Sequence, residues 1–201
     1  MTGRFVTLEG IDGAGKSSFI GWIERRLRAK GVDVVVTREP GGTAVGEELR
    51  RLVLNAEIDP VSEALLVFAA RKEHLVRLVV PALKRGAWVV CDRFTDATFA
   101  YQGAGRGVDT ERLAMLEGWV QAGLQPDCTI LFELPVAVAR ARSAEARAPD
   151  RFESQEQAFF ERVRQGYLAR AARDPDRFRI IDASRSMAEI EAQLAAIDWL
   201  R

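Results

Sequence analysis

Residues 5–17 read FVTLEGIDGAGKS, and this stretch decides the fold. It opens with a short apolar run that predicts a buried strand, and a helical pattern of apolar residues begins at Lys16. Between the two, residues 10–17 match G-x-x-x-x-G-K-[ST], the pattern of a phosphate-binding loop or P-loop. Because glycine has no Cβ, the loop backbone can close around phosphate oxygens, and the helix N-terminus adds a positive dipole end. The sequence therefore predicts a strand, a phosphate-binding loop and a helix, in that order.

The loop residues predict contacts to a nucleoside triphosphate and to a metal ion. Lys16 is long enough to reach the β- and γ-phosphates, and the hydroxyl of Ser17 is placed to bind Mg²⁺. The predicted phosphate-binding set is Gly10, Ile11, Asp12, Gly13, Ala14, Gly15, Lys16, Ser17 and Ser18.

The composition argues against several classes of protein. The formal net charge is zero, from 29 basic and 29 acidic residues, which argues against a protein held on nucleic acid by bulk electrostatics. No apolar stretch is long enough for a transmembrane helix, and the N-terminal residues do not form the apolar segment of a signal peptide. Cys91 and Cys128 fit no metal or redox spacing, so they are predicted to be buried reduced thiols. We therefore expect a cytoplasmic protein without a membrane partner.

Five apolar runs alternate with amphipathic patterns along the chain. The predicted strands are 5–8, 32–37, 88–91, 128–134 and 178–181. The predicted helices lie near 16–30, 44–54, 62–84 (capped by Ser62, with a possible kink at Pro81), 95–101 and 109–122, and others start near 135, 154 and 186. The β-branched run 32–37 is typical of a strand buried on both faces. This alternation predicts an α/β fold with a five-stranded parallel sheet flanked by helices, in a single domain over residues 1–201.

Charged residues follow four of the predicted strands. They are Glu9, Arg38-Glu39, Asp92-Arg93 and Glu133. The carboxyl ends of parallel strands meet at one edge of a sheet, where ligands bind. Asp92 holds the position from which a Walker-B aspartate orients Mg²⁺ or its waters. Arg38 and Arg93, together with Arg71, predict a second phosphate site, because guanidinium groups bind phosphate oxygens in pairs.

The remaining basic residues leave two interpretations open. Four arginines surround a polar stretch: Arg140, Arg142, Arg147 and Arg151. They form either a solubilising face or a lid that closes over a transferring phosphoryl group and excludes water. His74, the single histidine, stands among charged residues and is predicted to lie at the surface or at an interface. No nucleophile paired with a histidine is expected, and phosphoryl transfer requires none.

With these residues in view, the chain resembles the thymidylate kinases over nearly its whole length. The resemblance is carried by GIDGAGKS (10–17), TREPGGT (37–43), LLVFAAR (65–71), DRFTDATFAYQG (92–103) and DRFE (150–153). It implies a P-loop nucleoside-monophosphate kinase fold, ATP with Mg²⁺ as phosphoryl donor, dTMP as acceptor for dTTP synthesis, and a homodimer. By the same analogy, helices 62–85 and 109–123 are candidates for the dimer contact.

The resemblance implies an acceptor site residue by residue. Arg38 and Arg93 would hold the dTMP phosphate, and Asp12 would stand near the sugar and the phosphate. The other implied acceptor residues are Glu39 and Pro40 (a cis-proline turn), Phe68 (stacking on thymine), Arg71 (a base carbonyl), Thr98 and Gln102 (the base) and Tyr101 (the deoxyribose).

On the donor side, the resemblance implies a mobile lid at about residues 140–153. Arg142 would lie near the adenine, and Arg151 would reach the transferring phosphoryl group. The implied catalytic set is Lys16, Asp12, Arg93 and Arg151. Some members carry a basic residue in the P-loop where this chain has Gly13, so the lid is expected to supply that charge.

The chain departs from the family pattern at two positions. Ala97 replaces the usual serine of the Asp-Arg motif, and Glu133 replaces the common aspartate after the fourth strand. One polar contact is therefore missing or moved to Thr98, and a metal-side role for Glu133 stays open.

Two alternatives belong to other functions. A P-loop kinase for another nucleoside monophosphate would share the donor loop, but the acceptor motif argues against it. A nucleotide switch or sensor would bind without transfer. Guanine-reading switches use an Asn-Lys-x-Asp element, and the only asparagine here, Asn55, precedes an alanine. A non-catalytic sensor is made improbable by the combination of Lys16, Ser17, Asp92 and Arg151.

Overall fold

The computed structural model describes residues 3–144 and 156–200. Five strands form one parallel sheet in the order β2-β3-β1-β4-β5. They are β1 (Phe5–Glu9), β2 (Val34–Arg38), β3 (Trp88–Asp92), β4 (Cys128–Glu133) and β5 (Phe178–Asp182). The prediction of an α/β fold with a five-stranded parallel sheet flanked by helices is confirmed.

The helices of the described residues alternate with these strands. They are α1 (Lys16–Ala29), α2 (Ala44–Asn55), α3 (Pro60–His74), α4 (Val80–Lys84), α5 (Thr95–Thr98), α6 (Thr110–Gln121), α7 (Val136–Ala144), α8 (Gln157–Arg173) and α9 (Met187–Ala195). Two π-helical segments, Leu75–Val79 and Phe99–Gly105, follow α3 and α5, and a 3₁₀ turn spans Asp198–Leu200.

The central strand is β1, and its position fixes the site. All five of its residues are buried, because β3 and β4 pair with it on either side and helices cover both faces. From β1 the chain passes to the edge strand β2, returns to β3 beside β1, and then crosses to β4 and β5 on the other side, so the strand order reverses next to β1. The crevice at the carboxyl end of such a point is where ligands bind in open parallel sheets.

The second strand is not buried on both faces, so that prediction is wrong. β2 starts at Val34 and is the edge strand of the sheet. Val36 is 39% exposed, and only Val34 and Thr37 are fully buried within the strand. A β-branched run predicts a strand but does not reveal its place in the sheet, because that place depends on the connections made elsewhere in the chain.

The long helix predicted over residues 62–84 is interrupted. It begins at Pro60, and the side chain of Asp59, not of Ser62, accepts from the backbone N–H groups of residues 61 and 62. The π-helical turn Leu75–Val79 precedes α4, in which Pro81 holds one of the first two positions. Proline has no N–H to donate to the preceding turn, so the helical ladder widens there.

Close backbone packing holds the second π-helical segment, which contributes to the site. A Cβ built on Gly166 of α8 would lie 2.8 Å from the side chain of Ala104, and one built on Gly105 would lie 2.7 Å from the ring of Phe159. Glycine at these positions therefore lets α8 approach Phe99–Gly105 closely, which fixes the segment against the core. Among the described residues, no helix is both long and apolar enough to cross a bilayer.

Candidate active site

A cavity of about 610 Å³ opens at the carboxyl edge of the sheet. It is bounded by the loop after β1, by the ends of β2 and β3, and by residues of α2, α3, α5 and the segment Phe99–Gly105. Its lining includes Asp12, Gly13, Gly15, Lys16, Ser17, Ser18, Arg38, Glu39, Pro40, Arg50, Val67, Arg71, Asp92, Arg93, Phe94, Ala97, Thr98, Tyr101, Gln102 and Arg142. One cavity therefore joins the phosphate-binding loop to most of the acceptor residues that the sequence predicted.

The predicted strand, loop and helix form the inner wall of this cavity. Gly10 has φ +139°, and a Cβ there would lie 2.5 Å from the carbonyl oxygen of Phe132, so only glycine fits between the two strands. The helix α1 begins directly at Lys16, whose side chain is 5% exposed and donates to the carbonyls of Gly10 and Ile11 at 2.9 and 3.1 Å. Burial, followed by the charge of Arg93, lowers the pKa of Lys16 to about 8.

Asp12 and Arg93 form a partly buried ion pair beside the loop. Arg93 Nη2 lies 2.7 Å from Asp12 Oδ1, and the Tyr101 hydroxyl donates to Asp12 Oδ2 at 2.8 Å. Burial raises the pKa of Asp12, but the charges of Arg93 and Lys16 outweigh it and bring the pKa to about 2. Arg93 has φ +68°, a left-handed conformation that an arginine adopts only when its surroundings hold it there. Its backbone N–H donates to the carbonyl of Leu8, which ties it to the central strand.

Two further arginines line the same cavity. Arg38, at the end of β2, is half exposed and pairs with Glu47 at 2.8 Å. Arg50, on α2, donates to the carbonyl of Pro40 at 3.0 Å. Burial, followed by the charges of Arg38 and Arg93, lowers the pKa of Arg50. Three guanidinium groups that repel one another around one cavity are suited to a ligand with about two negative charges.

Sequence reasoning missed Arg50. It stands next to Arg51 on a helix with many charges, and the sequence does not separate the two. Arg51 is largely exposed and pairs with Glu48 on its own helix, whereas Arg50 reaches the turn before α2. That turn contains the cis peptide bond between Glu39 and Pro40 that the resemblance implies.

The guanidinium group of Arg71 donates to two side chains and keeps one nitrogen available for a ligand. Its Nε donates to Glu39 Oε2 at 2.7 Å and its Nη2 to Thr98 Oγ1 at 2.8 Å. The remaining nitrogen, Nη1, is buried without a hydrogen-bond partner among the described residues. A buried donor without a partner is costly in a folded protein, so this nitrogen is a candidate to donate to a bound ligand.

His74 is buried, so the prediction of a surface position is wrong. Its side chain is 0% exposed, with Nδ1 at 2.8 Å from Glu39 Oε1 and Nε2 at 2.7 Å from Thr37 Oγ1. A Cβ on Gly42 would lie 2.7 Å from the imidazole, so the turn packs directly on the ring. The neighbouring charges in sequence belong to other faces of α3. Residues adjacent in sequence lie on different faces of a helix, so charged neighbours do not show whether a helical residue is exposed.

Phe68 does not border the cavity. It lies 2% exposed in a small apolar cluster with Phe99 and Leu113, and the guanidinium carbon of Arg71 stands 4.8 Å from the centre of its ring. Val67, one residue earlier on α3, borders the cavity instead. The structure therefore does not support direct stacking of Phe68 on a base and gives the ring a supporting position behind Arg71.

Gln102 borders the cavity and is held by a carboxylate that sequence reasoning did not select. Its Nε2 donates to Oε1 of Glu63 at 2.8 Å, and Glu63 is fully buried in the first turn of α3. A glutamate in the first turn of a helix usually lies at the surface, where its charge interacts favourably with the helix dipole. The sequence position of Glu63 therefore gave no indication that its side chain is buried.

The two predicted metal residues border the same cavity. Ser17 and Asp92 both line the cavity, and the buried Oδ1 of Asp92 has no hydrogen-bond partner among the described residues. No group of three or more His, Cys, Asp and Glu side chains suited to a metal occurs in the described part of the chain. This donor set fits Mg²⁺, which commonly binds through one or two protein oxygens together with substrate phosphates and water.

The two other strand-end carboxylates belong to the walls. Glu9 accepts from the backbone N–H of Phe94 and from the hydroxyl of Tyr167, and burial raises the pKa of its carboxyl group. Glu133 pairs with Arg164 of α8 and does not line the cavity. Both therefore join β-strands to neighbouring elements.

The lid predicted at about residues 140–153 lies largely outside the described residues. Arg151 and Arg147 fall there, so their places in the site are not described. Arg142 borders the cavity and donates to the carbonyl of Ala183 at 2.8 Å.

Comparisons with known proteins agree with this geometry. A thymidylate kinase family model matches residues 8–194. A thymidylate kinase of Cupriavidus necator is 59% identical over 199 residues, covering 98% of each chain. One of Nitrosomonas europaea is 58% identical over 197 residues, covering 97% of this chain and 92% of its own. The crystal structure of a thymidylate kinase from Ehrlichia chaffeensis aligns over 100% of both chains with a TM-score of 0.79 and 33% identity.

Proposed function

The chain belongs to the thymidylate kinase family and phosphorylates dTMP to dTDP with ATP as donor, and we propose that its carboxyl-edge cavity holds both nucleotides during transfer. The observation that carries this proposal is that five arginines share one cavity with the P-loop: Arg38, Arg50, Arg71, Arg93 and Arg142. An oxygen of the dTMP phosphate attacks the γ-phosphorus of ATP, and the bond from that phosphorus to the ADP oxygen breaks. No base is needed, because transfer relies on positioning and on neutralising charge.

On the donor side, the P-loop binds the ATP phosphates. The backbone N–H groups of residues 10–18 surround the phosphate oxygens, and Lys16 exchanges its carbonyl contacts for β- and γ-phosphate oxygens. Ser17 and Asp92 would hold Mg²⁺, which when bound neutralises charge on the β- and γ-phosphates. The orphaned Oδ1 of Asp92 supports this role. Arg142 lies at the mouth of the same cavity, consistent with a place near the adenine.

On the acceptor side, Arg38, Arg50 and Arg93 bind the dTMP phosphate. Asp12 holds the guanidinium of Arg93 in place, and Tyr101 is bonded to both, which supports its place beside the sugar. The base is bound by Arg71, Thr98 and Gln102, with the turn Glu39-Pro40 closing the side near β2. Phe68 supports Arg71 from behind through a cation–π contact.

Replacing Arg50 by alanine is expected to raise the KM for dTMP by about 10- to 100-fold and to leave the KM for ATP nearly unchanged. Hydrogen bonds to a charged group are worth about 1.5–3 kcal/mol, and each 1.4 kcal/mol is tenfold in affinity. The measurement is steady-state ADP release with each nucleotide varied in turn.

Arg51→Ala is the matched control, because this arginine neighbours Arg50 on α2 but is exposed and outside the cavity. We expect it to leave both KM values within about twofold, as exposed ion pairs contribute little. Equal effects of the two substitutions would contradict the assignment of the acceptor phosphate to this cavity.

We also propose that two copies of the chain form a homodimer through α3 and α6. Exposed apolar side chains recur at helical spacing on these two helices, which pack against each other: Val61, Leu65, Met115 and Trp119. Trp119 is 81% exposed, which is unusual for so large an apolar group and typical of the centre of an interface.

Trp119→Glu is expected to convert the dimer to a monomer in sedimentation-velocity or light-scattering measurements at micromolar concentration. A charge in the centre of an apolar interface must be desolvated without a partner, which costs several kcal/mol. Met187→Glu is the control, since Met187 is 53% exposed on α9, away from these helices. A dimer that persists in the Trp119 variant, or a monomer in the unaltered chain, would overturn the proposed interface.

Five further assignments complete the proposal. The chain acts as one kinase domain over residues 1–201, with the segment at about 140–153 as its lid and Arg151 contacting the transferring phosphoryl group; these last two assignments rest on the resemblance alone. The cavity is proposed to take no nucleic acid, in line with the zero net charge. A cytoplasmic location is supported by Cys91 and Cys128, which are buried free thiols.

A further inference from the structure

The amide of Gln102 has one possible orientation beside Glu63. A carboxylate accepts hydrogen bonds and donates none, so the group that meets it must be the NH₂ end of the amide. Glu63 Oε2 also forms an ion pair with Nη2 of Arg106 at 3.6 Å. The orientation of this amide is therefore dictated by the chemistry of its partner, Nε2 toward Glu63 at 2.8 Å.

This orientation determines what Gln102 offers to the cavity. With Nε2 bonded to Glu63, the carbonyl oxygen Oε1 is the end left for a ligand, and Gln102 is 4% exposed at the cavity wall. Arg71, which lines the same cavity, has the opposite character. Glu39 and Thr98 occupy its Nε and Nη2, and the unpaired Nη1 is a donor. Gln102 and Arg71 thus offer a ligand one acceptor and one donor, respectively.

This pair matches one edge of thymine and opposes that of cytosine. Thymine presents the O4 carbonyl, an acceptor, beside N3–H, a donor. Cytosine presents the N4 amino group, a donor, beside an unprotonated N3, an acceptor. A base with the wrong pattern would leave two buried polar groups unpaired, which is how such a site rejects an analogue.

We propose that Glu63 is a positioning residue that sets the preference for thymine over cytosine, by holding the amide of Gln102 with its acceptor toward the base. The proposal rests on the base site described under the proposed function. Glu63 touches no substrate and acts through Gln102 alone. Its position at the start of α3, capped by Asp59, connects base selection to a rigid helix end.

The test is the isosteric substitution Glu63→Gln. A neutral amide at position 63 can donate as well as accept, so the Gln102 amide is free to turn over. The Kd values of dTMP, dUMP and dCMP are measured by titration calorimetry without ATP. The ratio of the dCMP Kd to the dTMP Kd is expected to fall at least about tenfold. The ratio of the dUMP Kd to the dTMP Kd is expected to stay within twofold of its value in the unaltered chain, since uracil and thymine carry the same O4 and N3–H edge.

Two controls separate this role from general loosening. Glu117→Gln removes a different carboxylate, which is partly buried and bonded to Thr95 and Arg170 outside the cavity, and it is expected to change neither ratio. In a Gln102→Ala background, Glu63→Gln is expected to have no further effect on the ratio of the dCMP Kd to the dTMP Kd.

A third variant exchanges the two side chains. The double substitution Glu63→Gln with Gln102→Glu keeps an amide–carboxylate pair and places an obligate acceptor at position 102, so it is expected to restore the thymine preference. This double variant also tests the proposal if the single variant Glu63→Gln does not fold.

The outcomes are distinguishable. An unchanged dCMP-to-dTMP ratio in folded Glu63→Gln, an equal effect of that change in the Gln102→Ala background, or a double exchange that prefers dCMP would each overturn the inference. If Gln102→Ala itself lowers the ratio in these cases, the base site stands and only the role of Glu63 fails. If Gln102→Ala leaves the ratio unchanged, the proposed base site fails with it.

Discussion

Replacing Arg93 by alanine is expected to lower kcat/KM for dTMP by about 10²- to 10⁴-fold. Arg93 forms a partly buried ion pair with Asp12 at the cavity wall. A guanidinium group binds a phosphate through two hydrogen bonds worth about 1.5–3 kcal/mol each, and each 1.36 kcal/mol is tenfold in rate. The acceptor phosphate also loses the cation that aims it at the P-loop. Steady-state kinetics with dTMP varied at saturating ATP measure the effect.

The control for Arg93 is a second arginine paired with an aspartate, Arg177 with Asp96 at 2.7 Å, in a pair that is more deeply buried than that of Arg93. Arg177 does not line the cavity, so Arg177→Ala is expected to lower the melting temperature and leave the kinetics of the folded fraction nearly unchanged. Arg93→Lys should recover part of the activity, because a charge remains but the paired contacts do not. If Arg93→Ala kept kcat/KM within tenfold, Arg93 would not belong to the transfer site.

Lys16→Met is expected to lower kcat by about 10²- to 10³-fold or more while changing the Kd of dTMP little. A preorganised donor aimed at charge that develops in the transition state is worth about that much, and Lys16 is the cation nearest the loop carbonyls. Steady-state ADP release at saturating substrates gives kcat, and calorimetry gives the dTMP affinity. Lys30→Met, at the exposed end of α1, is the control and is expected to change neither kcat nor the Kd of dTMP. An unchanged kcat in Lys16→Met would remove the P-loop lysine from the mechanism.

The lowered pKa of Lys16 gives ATP binding a predictable pH dependence. The free protein has a Lys16 pKa of about 8, and bound phosphates favour the charged ammonium. ATP affinity is therefore fully present below about pH 8 and falls as pH rises above it, by up to about tenfold per pH unit, with proton uptake on binding. Calorimetry at pH 7 to 9.5 measures both effects. Lys16→Arg should give a flat profile, and a flat profile in the unaltered chain would contradict the assignment.

The P-loop and the order of elements could be predicted because they follow from local chemistry. Gly10 lies close to the backbone of a neighbouring strand, and Lys16 begins the helix that follows the loop. The five apolar runs need hydrogen-bonded partners, which a sheet provides. Two helix caps were also readable from residue type: Asp109 caps α6, and Ser186 forms a capping box with Glu189. The cap predicted at Ser62 is instead Asp59.

The buried polar network around the base could not be predicted in the same way. Glu39, Glu63 and His74 are among the least exposed residues of the chain, yet their types are those of a solvated surface. Each is buried because a partner from a distant element satisfies it: Arg71 reaches Glu39 over 32 residues, and Gln102 reaches Glu63 over 39. Pairings of that kind depend on tertiary structure, and no local pattern encodes them.

Phe68 and Val67 illustrate the limit of motif reasoning within a helix. One residue along α3 turns a side chain by about 100°, so the choice between adjacent positions decides which one meets a ligand. The aromatic residue looked suited to a base, but the helix presents Val67 to the cavity and turns Phe68 toward Phe99 and Leu113. The edge position of β2 is a similar case, since no residue within the strand reveals its neighbours.

The central claim is that one cavity selects dTMP as acceptor and aligns it with ATP bound at the P-loop. Its most direct test is ADP release with Mg²⁺-ATP against dTMP, dUMP, dCMP, AMP and GMP, each over a range of concentrations. We expect turnover with dTMP, weaker turnover with dUMP, and negligible turnover with the other three. Faster turnover with dCMP, AMP or GMP than with dTMP would contradict the roles given to Arg71, Thr98 and Gln102.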